Sequence, residues 1–331
     1  MSVQAKFPQV RLRRLRQTQT FRNLVADVEI NPNNMILPLF IHAGKNIKQP
    51  ISSMPGHFQW SIDKLNTVID EIKAYNIAGI MLFGIPDDKD ESGAVAISET
   101  GVIQQAIKYI KDALPELIIV ADCCFCEYLT HGHCGIVIDA QNQKKVDNDK
   151  TLSILGQQAV SLAQAGADII APSGMMDGMV AQIRNDLDTH NFADIPIMSY
   201  AVKYASGLYG PFREAAEGAP QFGDRKTYQM DYRREHEAVL EVDLDINEGA
   251  DIIIVKPASY YLDIIYKLKQ HIKVPLCAYQ VSGEYSMIKA AAAAGWLDEQ
   301  QVMLESLYAI KRAGADFIIT YFAKEISAFC D

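Results

Sequence analysis

The feature that most constrains the fold of this chain is a series of eight short apolar segments that alternate with longer amphipathic ones. Each apolar segment is continuous, which indicates a strand buried on both faces, as in a parallel sheet covered by helices. The intervening segments, such as 151–165 and 301–313, show the 3.6-residue periodicity of helices. The apolar segments are residues 35–41, 80–85, 117–121, 169–172, 196–202, 252–255, 275–281 and 317–321.

A short phrase, Gly-Ala-Asp, occurs three times where a helical segment is followed by an apolar one, and it ends at Asp168, Asp251 and Asp316. Glycine often ends a helix in the left-handed conformation, so a strand can follow at once. Eight such units predict an α/β fold, a TIM (β/α)8 barrel over residues 35–331 with an extended N-terminal arm over residues 1–34. The alternative is an open doubly wound sheet, but the chain has neither a Gly-x-Gly-x-x-Gly turn after its first strand nor a Walker phosphate loop.

Charge is divided unevenly along the chain. The 31 basic and 41 acidic residues give a net charge of −10, yet residues 1–26 carry six basic residues and no acid, which leaves −16 for the body. The basic arm could contact an acidic protein surface, be a solvated tail or be a targeting peptide. The acidic body favours the first interpretation. Nucleic-acid binding is not expected, because no basic stripe interleaved with aromatic residues follows.

The hydropathy pattern adds an expectation about location. The sequence has no run of about 18 apolar residues that could span a membrane. Nor does its start show the charged, apolar and small-residue regions of a secretion signal. We therefore expect a cytoplasmic protein that does not bind membranes.

In barrels of this class, catalytic side chains lie at the carboxyl ends of the strands. Two lysines, Lys203 and Lys256, follow the fifth and sixth apolar segments. A single lysine at a strand end is more often half of a surface ion pair. Two neighbouring ammonium groups lower each other's pKa, however, and a neutral amine can form a Schiff base with a ketone. Other polar residues at strand ends are Asp122, Ser173, Tyr279, Ser282 and Tyr321.

Four of the six cysteines fall within the twelve residues 123–134. Because intracellular proteins seldom form disulfides, this cluster indicates metal binding or thiol chemistry. Cys124, Cys126 and Cys134 offer three soft sulfur ligands, which favour a catalytic zinc with one open position. The alternative is a set of reduced, half-buried cysteines without a metal. Cys123 is an additional thiol to which the sequence assigns no role.

A long segment rich in glycine, proline and charge, at about residues 201–226, predicts an active-site lid. Its arginines Arg213 and Arg225 could hold a substrate carboxylate in bidentate fashion while the closed lid excludes water. The alternative is that both arginines are solvated on a mobile loop.

Three motifs in this chain are long or distinctive enough to compare with a known family: Cys124-Phe-Cys-Glu-Tyr-Leu-Thr-His-Gly-His-Cys-Gly135, Lys203-Tyr-Ala-Ser-Gly-Leu-Tyr-Gly-Pro-Phe-Arg213 and Val255-Lys-Pro257. They closely resemble the porphobilinogen synthase, or 5-aminolevulinic acid dehydratase, family, and the resemblance spans essentially the whole chain. It implies a hydro-lyase that condenses two 5-aminolevulinate molecules asymmetrically to porphobilinogen, with loss of two waters, in tetrapyrrole (heme) biosynthesis.

The resemblance also implies roles for individual residues. Lys256 holds the propionate-side substrate and Lys203 the acetate-side substrate, each as an imine. Zinc on the three cysteines polarises or orients the acetate-side molecule, with Asp122 and Ser173 in polar and proton-transfer roles. Tyr209 belongs to the lid. The implied carboxylate contacts are Arg213, Arg225 and Gln229 on the acetate side and Tyr279, Ser282 and Tyr321 on the propionate side.

Two further implications concern assembly. Glu237 matches a glutamate that helps bind an activating magnesium at a subunit interface in many bacterial and plant members, although a solvated helix face explains it equally well. The arm resembles a segment that wraps a neighbouring subunit in a homo-octamer. Two rival functions are a class I aldolase that uses Lys256 alone and a noncatalytic ligand-binding barrel.

Overall fold

Eight parallel strands form a nearly closed barrel in the computed structural model, which describes residues 6–140 and 143–327. This confirms the predicted α/β barrel, and each predicted apolar segment contains or overlaps one barrel strand. The barrel strands are β1 (Met35–His42), β4 (Gly79–Ile85), β5 (Ile118–Cys123), β8 (Ile169–Pro172), β9 (Met198–Lys203), β10 (Ile252–Lys256), β11 (Leu276–Gln280) and β12 (Phe317–Thr320). The remaining strands are β2 (Lys48–Pro50), β3 (Phe58–Trp60), β6 (Val137–Ala140) and β7 (Gln143–Val146).

Hydrogen bonding connects the barrel strands in the order β8-β5-β4-β1-β12-β11-β10-β9. The ring is completed where Ile170 and Ile197 form a parallel bridge, with the Ile170 N–H donating to the Pro196 carbonyl at 3.1 Å. Outside this ring, β2 and β3 pair antiparallel beside β1, and β6 and β7 form a hairpin after the cysteine-rich segment. The carboxyl ends of all eight barrel strands therefore meet at one mouth.

Helices cover the outer face of the barrel, which explains why the strands are apolar along their whole length. The predicted helices at 151–165 and 301–313 correspond to α5 (Asn148–Ala165) and α11 (Glu299–Ala313). The α-helices are α1 (Gln19–Leu24), α2 (Leu65–Ala74), α3 (Ala94–Ile97), α4 (Val102–Ala113), α5 (Asn148–Ala165), α6 (Met179–Thr189), α7 (Gly210–Ala215), α8 (Glu235–Glu248), α9 (Leu262–His271), α10 (Ser282–Ala293), α11 (Glu299–Ala313) and α12 (Ala323–Ser327). Short 3-10 helices lie at Leu12–Arg16, Pro32–Asn34, Ile62–Lys64, Gly207–Tyr209 and Ser259–Tyr261.

The three Gly-Ala-Asp phrases act as clamps between neighbouring barrel strands. Each glycine ends its helix with a positive φ of 104°, 108° or 122°, a conformation that costs glycine little. Each aspartate then bonds to the adjacent strand through both its backbone N–H and its carboxylate. Each carboxylate accepts a hydrogen bond from a backbone N–H group of the neighbouring strand: Asp168 from Ile119 at 2.7 Å, Asp251 from Ile197 at 2.8 Å, and Asp316 from Leu276 at 2.8 Å.

The arm lies outside the barrel over the residues described. It contains the 3-10 helix Leu12–Arg16 and α1, and its large apolar side chains are exposed, for example Phe7 at 76% and Leu24 at 78%. The predicted role of the arm in subunit contacts is not tested by a single chain, and its residues 1–5 lie outside the described residues. In the described parts of the chain, no helix is both long and apolar enough to cross a membrane.

We predict that Asp251→Ala lowers the free energy of unfolding by about 1–3 kcal/mol, because the backbone N–H of buried Ile197 loses its carboxylate acceptor. Denaturant unfolding followed by circular dichroism measures this change. Asp70→Ala, at an exposed aspartate on α2, is the control and should change the stability by less than about 0.5 kcal/mol. Equal stability of the two variants would reject the clamp.

Candidate active site

Two lysines lie side by side at the mouth of the barrel. Lys203 ends β9 and Lys256 ends β10, and the two residues are paired in register across these adjacent parallel strands. Both side chains are only 5% exposed. The Lys203 Nζ donates a hydrogen bond of 2.6 Å to the Ser173 carbonyl at the end of β8. The predicted pair of lysines is thus brought into one buried location.

Aromatic rings surround the Lys256 amine. Its Nζ lies 4.2 Å from the centroid of the Tyr279 ring, and the rings of Tyr200, Tyr209 and Phe212 lie at 5.1, 5.4 and 5.1 Å. Burial, together with the charge of Lys203, lowers the pKa of Lys256 to about 7. The rings favour the ammonium form and so oppose part of the effect of burial. A neutral amine is therefore accessible near neutral pH.

Asp122 and Ser173 form a polar pair next to the lysines. The Ser173 hydroxyl donates to one Asp122 carboxyl oxygen at 3.1 Å, and the other oxygen is inaccessible to solvent and has no hydrogen-bond partner in the described part of the chain. Burial and the nearby Glu127 carboxyl raise the pKa of Asp122 to about 7, against the opposing effect of the two lysines. A carboxyl group that changes protonation near neutral pH suits proton transfer.

The three cysteines predicted to bind a metal converge beside this pair. The Cys124, Cys126 and Cys134 sulfur atoms lie within 4.8 Å of one another, and the Cys124 and Cys126 sulfurs are 3.5 Å apart. All three side chains are buried. The Cys124 and Cys126 thiols interact with the Cys134 sulfur and hold the pKa of Cys134 well below that of a free thiol. Three converging sulfur donors match the ligand set of a zinc site with an open position.

Cys123, the thiol without an assigned role, points away from this cluster. Its sulfur donates to the Gln158 side-chain carbonyl at 3.3 Å, and the Gln158 amide in turn donates to the Cys124 backbone carbonyl at 3.0 Å. Cys123 is therefore part of a buried chain of contacts between α5 and the backbone of a predicted metal ligand.

Three nitrogen donors that face the same cavity have no hydrogen-bond acceptor among the described residues. They are the buried atoms Arg213 Nε, Arg225 Nε and Gln229 Nε2. Arg225 does donate through Nη2, to the Gly132 and Gly218 carbonyls at 2.8 and 2.5 Å. The alternative of two solvated arginines on a mobile loop does not describe this arrangement. Buried donors left without acceptors are costly in a native protein, so their convergence indicates a site for an anionic group.

The segment predicted to be a lid lies over the mouth of the barrel, where several of its residues line the cavity together with both lysines. The Tyr209 hydroxyl donates to the Tyr204 carbonyl at 2.7 Å, and the Phe212 N–H donates to the Ser282 hydroxyl at 3.0 Å. Tyr279 and Tyr321 share a hydrogen bond of 3.1 Å between their hydroxyl groups. All the residues predicted for the propionate side are buried, but in this structure their hydroxyl groups bond to the lid or to each other.

Several residues of the cavity were not predicted from the sequence. Tyr200 lies within an apolar strand, where the pattern does not tell inward from outward positions. Phe212 and Phe83 reach the cavity only because the lid and the strands come together. Glu127 follows Cys126 directly in the sequence, and this position next to a predicted metal ligand was the signal that could have identified it.

Glu237 lies outside this cavity. It is in the first turn of α8, where its carboxylate pairs with Arg234 Nε at 3.4 Å. Within residues 6–140 and 143–327, it does not join any group of three metal-ligating side chains with suitable spacing. The predicted magnesium site therefore gains no support from one chain.

Comparison with known proteins matches residues 9–329 to the family model described as delta-aminolevulinic acid dehydratase. A curated delta-aminolevulinic acid dehydratase from Synechocystis is 52% identical over 319 residues, covering 96% of this chain and 98% of the relative. One from Halalkalibacterium halodurans is 51% identical over 317 residues, covering 96% and 95%.

A solved structure agrees with the sequence matches. The crystal structure of the Toxoplasma gondii delta-aminolevulinic acid dehydratase (porphobilinogen synthase), in complex with the reaction product porphobilinogen, superposes with a TM-score of 0.93 and is 41% identical. The alignment covers 97% of this chain and 91% of the other. The chain therefore belongs to the delta-aminolevulinic acid dehydratase family, the hydro-lyases that form porphobilinogen from 5-aminolevulinate.

Proposed function

We propose that the cavity at the barrel mouth holds two 5-aminolevulinate molecules, one as an imine on Lys256 and one as an imine on Lys203. The observation that carries this proposal is the pairing of two buried lysines in register on adjacent strands. In each imine, the amine nitrogen bonds to the ketone carbon, and the ketone oxygen leaves as water after proton transfer. A class I aldolase needs only one lysine and no thiolate cluster, so this arrangement favours the dehydratase over that rival.

The lowered pKa of Lys256 supports its role as a nucleophile. With a pKa of about 7, a substantial fraction of the amine is neutral at pH 7 and can attack a ketone. Asp122 and Ser173 lie beside both lysines and can move protons to and from the departing oxygen. The aromatic rings and the closed lid exclude water that would hydrolyse an imine.

The unpartnered donors support the assignment of the acetate-side carboxylate. Arg213, Arg225 and Gln229 converge on the cavity with free N–H groups, and a carboxylate accepts such hydrogen bonds strongly. On the propionate side, the Tyr279 ring lies 4.2 Å from the Lys256 Nζ, Tyr321 bonds to Tyr279, and Ser282 bonds to the Phe212 N–H. Because their hydroxyl groups already form hydrogen bonds, a substrate carboxylate must replace the bonds to the lid and between the two tyrosines.

The donor set of Cys124, Cys126 and Cys134 fits zinc, and we assign the catalytic metal to these three sulfurs. When bound, zinc supplies a Lewis acid that polarises or orients the acetate-side substrate. The noncatalytic-barrel hypothesis is disfavoured because both lysines, both arginines and Cys126 line one cavity, and the other two sulfurs converge on Cys126.

Assembly and location are expectations from the family resemblance. A homo-octamer held by the arm, an activating magnesium at Glu237, a cytoplasmic location and the absence of nucleic-acid and membrane partners all stay predictions. The exposed apolar residues of the arm, including Phe7, Leu12 and Leu24, are in keeping with a segment that a second subunit covers.

We predict that Lys256→Met lowers porphobilinogen formation at least about 1,000-fold, because the nucleophilic amine is lost. Incubation with 5-aminolevulinate and colorimetric detection of the pyrrole measures activity. Borohydride reduction with substrate, followed by peptide mass analysis, should label Lys256 in the parent chain. Lys226→Met, at an exposed lid lysine, is the control and should retain activity and labelling. Undiminished labelling of the Lys256→Met chain would reject the assigned role.

Arg213→Gln should raise the KM for 5-aminolevulinate about 10- to 100-fold, since a charge-assisted hydrogen bond contributes about 1.5–3 kcal/mol. Arg233→Gln is a suitable control because Arg233 is exposed nearby and pairs with Asp231. Steady-state kinetics of both variants gives the comparison. If both show the parent KM, the carboxylate is not held at Arg213.

Removal of zinc with a selective chelator under reducing conditions should abolish activity, and added zinc should restore it. Metal content and porphobilinogen formation are followed together. Full activity in a metal-free, reduced sample would contradict the zinc assignment. Cys126→Ser provides an independent check, because it removes one sulfur ligand and should lose both metal and activity.

A further inference from the structure

The segments that follow β10 and β11 carry groups predicted to hold one substrate, but they lie beyond the ladder that joins these two strands. Lys256 is the last residue of β10, and Ser282 is the first residue of α10, just after β11. The register of β10 with β11 ends at the pair Val255–Ala278. On its other side, β10 remains paired with β9 as far as Lys256 itself. The interval between Lys256 and Ser282 is therefore not set by strand pairing.

A buried carboxylate bridges the two segments. Glu284, in the first turn of α10, is 2% exposed. One of its oxygens accepts the Ser259 N–H at 2.5 Å, and the other accepts the Val281 N–H at 2.6 Å and the Ala258 N–H at 3.4 Å. Hydrogen bonds to an ionised carboxylate are roughly twice as strong as those between neutral groups. Glu284 therefore ties the turn after Lys256 to the start of α10.

Helix capping explains only part of this arrangement. A glutamate at the third position of a helix often accepts the N–H of the residue before the helix, which accounts for the bond to Val281. The bonds to Ala258 and Ser259 cross to a different segment, 26 and 25 residues away in the chain. The carboxylate thus caps α10 and also connects it to the segment that carries Lys256.

The first turn of α10 is also fixed to a loop on its other side. The Tyr285 hydroxyl donates to the Pro55 carbonyl at 2.5 Å, and the Ser286 hydroxyl donates to the Ser53 carbonyl at 2.6 Å. Because these bonds hold α10 in place, loss of the Glu284 bonds would release the turn after β10 rather than the helix.

A keto acid that forms an imine at Lys256 and places its carboxylate at Ser282 must span the interval between these residues. In 5-aminolevulinate, two methylene groups separate the ketone carbon from the carboxylate carbon, so the interval has to match that length. A misplacement of about 1 Å in an active site can lower the rate about 100-fold.

We propose that Glu284 is a positioning residue that fixes the interval between Lys256 and Ser282 and thereby selects keto acids with the chain length of 5-aminolevulinate. This inference rests on the imine assigned to Lys256 under the proposed function. Glu284 acts through the backbone of the two segments that it joins and does not itself contact the substrate.

The test measures chain-length selectivity with two keto acids that lack the amino group and so cannot form the pyrrole. 4-Oxopentanoate has the chain length of 5-aminolevulinate, and 5-oxohexanoate has one more methylene between ketone and carboxylate. Each is incubated with the full-length, reduced, zinc-loaded enzyme, and borohydride then reduces the imine. Peptide mass analysis gives the half-saturating concentration at each lysine. The parent should need at least about 10-fold more 5-oxohexanoate than 4-oxopentanoate at Lys256.

Glu284→Asp is the sharpest variant. It keeps the negative charge at the start of α10 but is one methylene shorter, so it cannot reach both segments. The preference for 4-oxopentanoate at Lys256 should fall at least about threefold. The preference at Lys203 should stay at the parent value, because the Glu284 bonds go to the segments after β10 and before α10. Glu284→Gln, which puts an N–H donor against these N–H groups, should show the same selective change.

Asp251→Asn is the matched control, because the Asp251 carboxylate also accepts a backbone N–H of a neighbouring strand, but at the opposite end of the barrel. It should keep the parent preference at both lysines, and circular dichroism verifies that every variant is folded. Parent selectivity at Lys256 in both Glu284 variants would overturn the proposal and leave Glu284 as a helix cap. An equal loss of selectivity at both lysines would also overturn it, because the effect would then be a general loss of structure. Absence of labelling at Lys256 in the parent chain would instead refute the proposed function.

Discussion

The close approach of two buried amines determines most of what this molecule does. The backbone register of β9 and β10 pairs Lys203 with Lys256, so the two side chains leave adjacent strands at the same level of the barrel. Two ammonium groups in a buried site repel each other, and burial disfavours both charges. The barrel tolerates the pair because the Ser173 carbonyl, the Asp122 carboxyl and the aromatic rings offset part of the cost. The cost that remains lowers the pKa of Lys256, so a nucleophilic neutral amine is present at neutral pH.

A second constraint is the concentration of unpartnered polar atoms in the same place. Of the eight buried side-chain nitrogen and oxygen atoms without a hydrogen bond among the described residues, five belong to residues that line this cavity. Native proteins contain few such atoms, so chance placement is a poor explanation. The nitrogen donors suit carboxylates and the oxygen acceptors suit cations, which are the groups that an amino-ketone acid and a metal ion bring. The unsatisfied atoms are Asp122 Oδ1, Glu127 Oε1, Arg213 Nε, Arg225 Nε and Gln229 Nε2.

The sequence predicted the barrel well because its signals are local. Continuous apolar strands, helix-ending glycines and polar residues after strands can each be recognised within about ten residues. It could not predict that Asp251 and its two counterparts bond to neighbouring strands, since that depends on the strand order. Nor could it reveal the rings around Lys256. Tyr200 shares an apolar strand with outward-facing residues, and Phe212 reaches Lys256 only because the segment after β9 folds back over the mouth of the barrel. Long-range packing, which no local pattern encodes, places these residues.

The central claim is that burial and Lys203 together make Lys256 a neutral amine near pH 7. Competitive labelling of the substrate-free enzyme with acetic anhydride, read by peptide mass spectrometry across a pH series, measures the pKa of Lys256 directly. Only the neutral amine reacts, so labelling of Lys256 rises with pH, and the midpoint of that rise is its pKa. The account predicts a midpoint near pH 7 in the parent and a higher midpoint in Lys203→Gln. A midpoint near the ordinary lysine value of 10.5, or one that Lys203→Gln leaves unchanged, would contradict it.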